Sequence, residues 1–185
     1  MRIAFIGPPG AGKGTQAERL SDRLGITSLS TGEVLREAQH SGTPAGREIA
    51  ARLAAGQLVS DDLVLRIVAD RLAEADCQHG YLFDGFPRTV AQAEELAGLL
   101  EDQGSSLDAA VLFEAAEEVL LERLASRGRE DDTVEQIRQR LADYAQITRP
   151  VAAYYADRGM LLRIDAAGEP DVVYRRLIEG LKLED

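Results

Sequence analysis

The apolar run Ile3-Ala4-Phe5-Ile6 leads directly into Gly7-Pro8-Pro9-Gly10-Ala11-Gly12-Lys13-Gly14-Thr15, and helix-forming residues follow from Gln16 to Leu20. A short apolar run closed by glycine reads as a buried strand, so the order is strand, glycine-rich turn, helix. That order builds an anion cradle. Glycines let successive backbone N–H groups curl around an oxyanion, the helix N-terminus adds partial positive charge, and Lys13 adds a full one. The spacing from Gly7 to Gly12-Lys13 fits the P-loop pattern, although Gly14 stands where Ser or Thr is usual and Thr15 comes one residue later. The segment predicts a nucleoside triphosphate site in which Gly10, Ala11, Gly12, Lys13, Gly14 and Thr15 surround the phosphates.

The same segment constrains the fold. Further apolar runs alternate with helical periodicity, placing strands at about 2–6, 26–29, 80–84, 109–113 and 160–164. Strand–helix alternation means a five-stranded parallel sheet covered by helices on both faces, with ligands beyond the strand C-terminal ends. Helical segments at about 32–40, 44–55 and 61–75 are Ala-rich and weakly apolar, and read as a flap and not as sheet-covering core. A long helix from about 133 to 157 is expected to bend at Pro150.

The chain has 185 residues, which suits a single domain, and a formal net charge of −11, which argues against a nucleic-acid surface. No apolar run reaches the roughly 20 residues of a membrane span, so no membrane partner is expected. The start of the chain reads as a strand and not as a leader, and the single cysteine, Cys77, leaves no internal disulfide. A cytoplasmic location is the expectation. Lysine occurs only at positions 13 and 182, and asparagine is absent, so the Asn-Lys-x-Asp loop that reads guanine in GTPases is missing.

Beyond the P-loop, the residues alone leave alternatives open. Asp84 ends an apolar strand and fits either a magnesium-holding carboxylate or a cap on the next turn. Arg36 and Arg88, taken singly, read as surface residues. Arg123, Arg127, Arg129, Arg138 and Arg140, interleaved with Asp131 and Asp132, fit a solvated helix surface or a set facing a nucleotide.

Four segments taken together change this. Gly7 to Gln16, Ser30-Thr31-Gly32-Glu33-Val34-Leu35-Arg36, Gly56-Gln57-Leu58-Val59 and Asp84-Gly85-Phe86-Pro87-Arg88 resemble the adenylate kinases, in order and across essentially the whole chain. The resemblance implies reversible transfer of the terminal phosphoryl group of Mg-ATP to AMP, giving two ADP, by a monomer that uses Mg²⁺. It implies an ATP side formed by the P-loop, Arg123, Arg127 and Gly168. It also implies an AMP side formed by Thr31, Arg36, Gln57, Leu58, Val59, Gly85, Phe86, Pro87, Arg88, Gln92, Arg129 and Arg140. Catalytic charge would come from Lys13, Arg88, Arg127, Arg129 and Arg140, and Thr15 and Asp84 would hold the metal through water. A core (1–29, 60–125, 133–185), an AMP flap (30–59) and a lid (126–132) follow from the same likeness. Only Gly128 separates Arg127 from Arg129, so the lid resembles a very short form and zinc is not expected. A UMP- or CMP-directed kinase, and a non-catalytic P-loop module, are the competing readings; Thr31 and Gln92 favour AMP.

Overall fold

The computed structural model describes residues 1–40, 43–54, 59–126 and 133–183. Strands β1 (Arg2–Ile6), β2 (Thr27–Ser30), β3 (Tyr81–Asp84), β4 (Ala109–Glu114) and β5 (Leu161–Asp165) form one parallel sheet in the order β2-β3-β1-β4-β5. The glycine-rich strand is thus the central one. Side chains alternate across a strand, so Ile3 and Phe5 enter one core while Ala4 and Ile6 enter the other. Being buried on both faces is what a continuous apolar run requires.

Helices α1 (Lys13–Leu24), α6 (Glu117–Ser126) and α9 (Pro170–Gly180) supply Leu20, Leu120, Val173 and Leu177 to the Ile3–Phe5 core. Helices α4 (Asp61–Leu72), α5 (Val90–Asp102) and α8 (Arg149–Asp157) cover the opposite face through Val64, Val68, Leu96, Leu100, Val151 and Tyr155. The flap reading of residues 61–75 is therefore corrected. Val64, Val68 and Leu72 recur every four residues and make one buried stripe, so α4 is sheet-covering core. Helices α2 (Thr31–His40) and α3 (Pro44–Ala54) pack on each other, with Ile49 fully buried.

The long helix after residue 133 is not continuous in type. Helix α7 (Val134–Asp143) passes through a π-helical segment, Tyr144–Thr148, into α8. Pro150 lacks an N–H and crowds the preceding turn, and a wider turn just ahead of it accommodates both effects. No described helix is long and apolar enough to cross a membrane.

Candidate active site

Register brings the strand ends together. Asp84 pairs with Phe5 on one side and with Ser30 on the other, so the turns after β1, β2 and β3 leave the sheet at one level. A cleft of about 1550 Å³ opens there. Its lining includes Gly10, Ala11, Gly12, Lys13, Gly14, Thr15, Thr31, Val59 and Asp84, together with Gly85, Phe86, Pro87, Arg88, Gln92, Arg123, Arg140 and Gly168. Segments far apart in the chain thus share one space. Arg36 is placed by its backbone on α2, whereas Gln57, Leu58, Arg127, Arg129, Asp131 and Asp132 lie outside the described residues.

The P-loop is built by close approach. Gly10 has φ +85°, and a Cβ there would stand 2.9 Å from the Leu120 carbonyl oxygen, so only glycine serves. Gly12, also left-handed, turns the chain into α1. Lys13 follows, and its ammonium donates to the carbonyl oxygens of Gly7 at 2.8 Å and Pro8 at 2.9 Å. Burial lowers the Lys13 pKa to about 8, with Asp84 pulling it upward and Arg88 pushing it down. Gly14 now has a physical reason: a Cβ at this position would meet Asp84 Oδ2 at 3.3 Å. A Ser or Thr side chain would make that carboxylate give by a few tenths of an ångström, and the hydroxyl of this loop stands on Thr15, which is exposed.

Gly14→Ala is a direct check of that arrangement. Position 14 lies in the first turn of an exposed helix end, where alanine is the better helix former, so thermal unfolding should stay within a few degrees. Displacing Asp84 should lower kcat roughly tenfold or more, as expected when site geometry slips by a fraction of an ångström. Unchanged turnover in the variant refutes a functional contact between the two residues.

Across the cleft, the segment after β3 is held by its own contacts. Phe86 is fully buried against Phe83, with ring centroids 5.1 Å apart, and the Phe86–Pro87 bond is cis. Arg88 Nε donates to the Gly85 carbonyl oxygen at 2.9 Å. The surrounding protein lowers the Arg88 pKa, Asp84 raises it, and Arg140 lowers it again. Lys13, Arg88 and Arg140 thus line the cleft that carries Asp84, an arrangement suited to a multiply charged anion. Thr31 Oγ1 donates to the Asp84 carbonyl oxygen at 3.2 Å, which fixes the start of α2 against the same turn.

Two residues in this site escaped the sequence reading. Asp61, the first residue of α4, accepts from Gln92 Nε2 at 2.7 Å and from Thr89 Oγ1 at 2.8 Å. Gln16, buried in α1, donates to the Pro170 carbonyl oxygen at 2.9 Å and ties the P-loop helix to the start of α9, where the loop after β5 ends. Arg123 holds the same loop from the other side, donating to the carbonyl oxygens of Ala166 at 3.0 Å and Gly168 at 2.8 Å. These bonds use the guanidinium edge and leave its flat faces for stacking.

The family model for adenylate kinase matches residues 5–160. The chain belongs to the adenylate kinase family. Adenylate kinase of Stenotrophomonas maltophilia (strain R551-3) is 46% identical over 186 residues, covering 98% of this chain and all of the relative. Adenylate kinase of Corynebacterium glutamicum (strain R) is 47% identical over 181 residues, with 98% and 99% covered. Adenylate kinase of Synechococcus sp. (strain WH7803) is 50% identical over 180 residues, with 97% and 98% covered. As an adenylate kinase the chain is a phosphotransferase of the nucleoside monophosphate kinase type, and the UMP/CMP reading is not favoured.

Adenylate kinases work on Mg-ATP, and the donors present fit that cation. Asp84 offers one carboxylate against the first turn of α1, and the exposed Thr15 hydroxyl lies in the same lining. Among the described residues no group of three or more His, Cys, Asp or Glu could hold a metal ion. A single carboxylate with a hydroxyl would suit a Mg²⁺ that keeps much of its water better than an ion held by protein ligands alone.

Proposed function

We propose that the cleft performs reversible in-line transfer of the terminal phosphoryl group of ATP to AMP, giving two ADP. The observation that carries this is the sharing of one cleft by a P-loop lysine and a second cationic site, Arg88 with Arg140, around Asp84. A simple nucleotide switch has no use for the second site. The ATP phosphates rest on Gly10–Thr15, with Arg123 and Gly168 at the base and Arg127 over the phosphates. AMP lies along Thr31, Gln57, Leu58, Val59, Gly85 to Pro87 and Gln92, its phosphate gripped by Arg36 and Arg88, while Arg129 and Arg140 close over the transferring phosphoryl group. AMP is ionised at neutral pH, so no strong base is needed, and catalysis is positioning plus charge stabilisation. Thr15 and Asp84 would hold Mg²⁺ through water, and the cation would neutralise charge that develops on the transferring phosphoryl group. Residues 30–59 act as the AMP flap and 126–132 as the lid, carried on a core of 1–29, 60–125 and 133–185. The enzyme works as a cytoplasmic monomer.

A panel of acceptors tests the reading. With Mg-ATP as donor, AMP should give ADP at least 100-fold faster than UMP or CMP, a preference within reach of a site that hydrogen-bonds its base. Preference for a pyrimidine monophosphate moves the assignment to that kinase class. No transfer to any acceptor leaves a nucleotide-binding module.

A further inference from the structure

We infer that Asp61 is a specificity-determining positioning residue that locks the Gln92 carboxamide in the one orientation that accepts adenine. The inference rests on the proposed placement of the AMP base beside Gln92. Gln92 is 4% exposed and lines the cleft. Its Nε2 donates to Asp61 Oδ1 at 2.7 Å, and its Oε1 accepts from the Arg88 backbone N–H at 2.7 Å. Asp61 Oδ2 is itself held by Thr89 Oγ1 at 2.8 Å, and Thr89 caps α5 by accepting from the Gln92 N–H at 3.1 Å. Both partners of the carboxamide are one-way groups. A carboxylate only accepts and a backbone N–H only donates. Turning the amide over would set Oε1 against the Asp61 carboxylate and Nε2 against an N–H, losing two bonds and creating two repulsions.

One N–H on Nε2 and one lone pair on Oε1 remain for a ligand. Their order is fixed, donor on the Asp61 side and acceptor on the Arg88 side. Adenine presents a 6-amino donor next to the N1 acceptor, whereas hypoxanthine presents a 6-oxo acceptor next to an N1–H donor. The two rings have the same shape, so only the order of donor and acceptor separates them. A freely turning glutamine would satisfy either ring. A locked one mismatches hypoxanthine at both atoms, and a phosphate anchored on arginines prevents the base from turning over to compensate.

The test compares AMP and IMP as acceptors, by kcat/KM at saturating Mg-ATP, in the full chain and in Asp61→Asn. Asparagine is nearly isosteric and can donate or accept, so it removes the Asp61 half of the lock and leaves the Arg88 N–H as the remaining group that opposes the turned amide. The unsubstituted protein should prefer AMP, and the AMP/IMP ratio should fall about tenfold or more in the variant, the value of one mispaired buried amide. The KM for ATP should move less than about twofold, because the donor side is untouched. Asp61→Glu, which keeps an accept-only group, should retain the preference. An unchanged ratio with both rates lowered together means a structural role and overturns the inference. Gln92→Ala separates the two layers. If it leaves the ratio intact, the base is not read by Gln92; if it collapses the ratio while Asp61→Asn does not, Asp61 alone is refuted. Should Asp61→Asn not fold, Asp61→Ser removes the same half of the lock and is judged by the same ratio.

Discussion

Lys13→Met should lower kcat by roughly 10³-fold while leaving the protein folded, because each charge group aimed at a transferring phosphoryl contributes on that scale. Methionine keeps the length of the stem and removes only the ammonium. Two stability effects oppose each other: the carbonyl oxygens of Gly7 and Pro8 lose their donor, and a charge that burial disfavours is removed. Thermal unfolding therefore separates the outcomes, since a melting point within a few degrees assigns the loss to chemistry. The lysine also predicts a pH signature. In the free protein its pKa is lowered to about 8, so the charged form is lost as pH rises through that value. The kcat/KM for ATP reports the free protein and should fall tenfold per pH unit above about 8. Bound phosphate favours the ammonium and raises its pKa, so kcat should stay level to higher pH. Parallel profiles, or a variant within tenfold of the starting kcat, exclude this role for Lys13.

Strands β1, β3 and β4 were legible because each is an apolar run, which the two buried faces of a parallel sheet demand, whereas the edge strand β2 (Thr-Ser-Leu-Ser) buries only Leu29 and gives a weak signal. The reading of 61–75 as flap failed for a related reason. Asp61, Asp62, Arg66, Asp70 and Arg71 dilute the Val64-Val68-Leu72 stripe in any average over the segment, although the four-residue spacing was there to be read. Site residues divided in the same way. Lys13 and Asp84 are announced by local order, strand then turn. Gln16 and Asp61 are not. Gln16 finds its partner 154 positions away, and Asp61 reaches Gln92 across 31. An acidic residue in a first helical turn already has a sufficient local explanation in the helix dipole, so nothing in the sequence asked for a second. Contacts of that kind come from the sheet order, which brings β3 and its following turn beside β1 and β2.

Arg88→Ala should damage use of AMP far more than use of ATP, and the asymmetry is the informative part. Arg88 sits on the acceptor side, anchored by its Nε on the Gly85 carbonyl oxygen, and shares its field with Asp84 and Arg140. Loss of the guanidinium should lower kcat/KM for AMP by roughly 10²–10³-fold, as expected for a charge-assisted, forked phosphate contact. The KM for ATP should change by less than about threefold, since the P-loop is intact. The fold should survive, because burial disfavours the removed cation more than Asp84 favours it. Arg88→Lys makes the argument sharper. Lysine restores the charge but not the planar pair of donors, and its shorter head cannot reach both the Gly85 carbonyl oxygen and a phosphate. It should recover at most about a tenth of the lost kcat/KM if two-point recognition matters, and most of it if charge alone does. A variant with unaltered AMP kinetics would remove Arg88 from the acceptor site altogether.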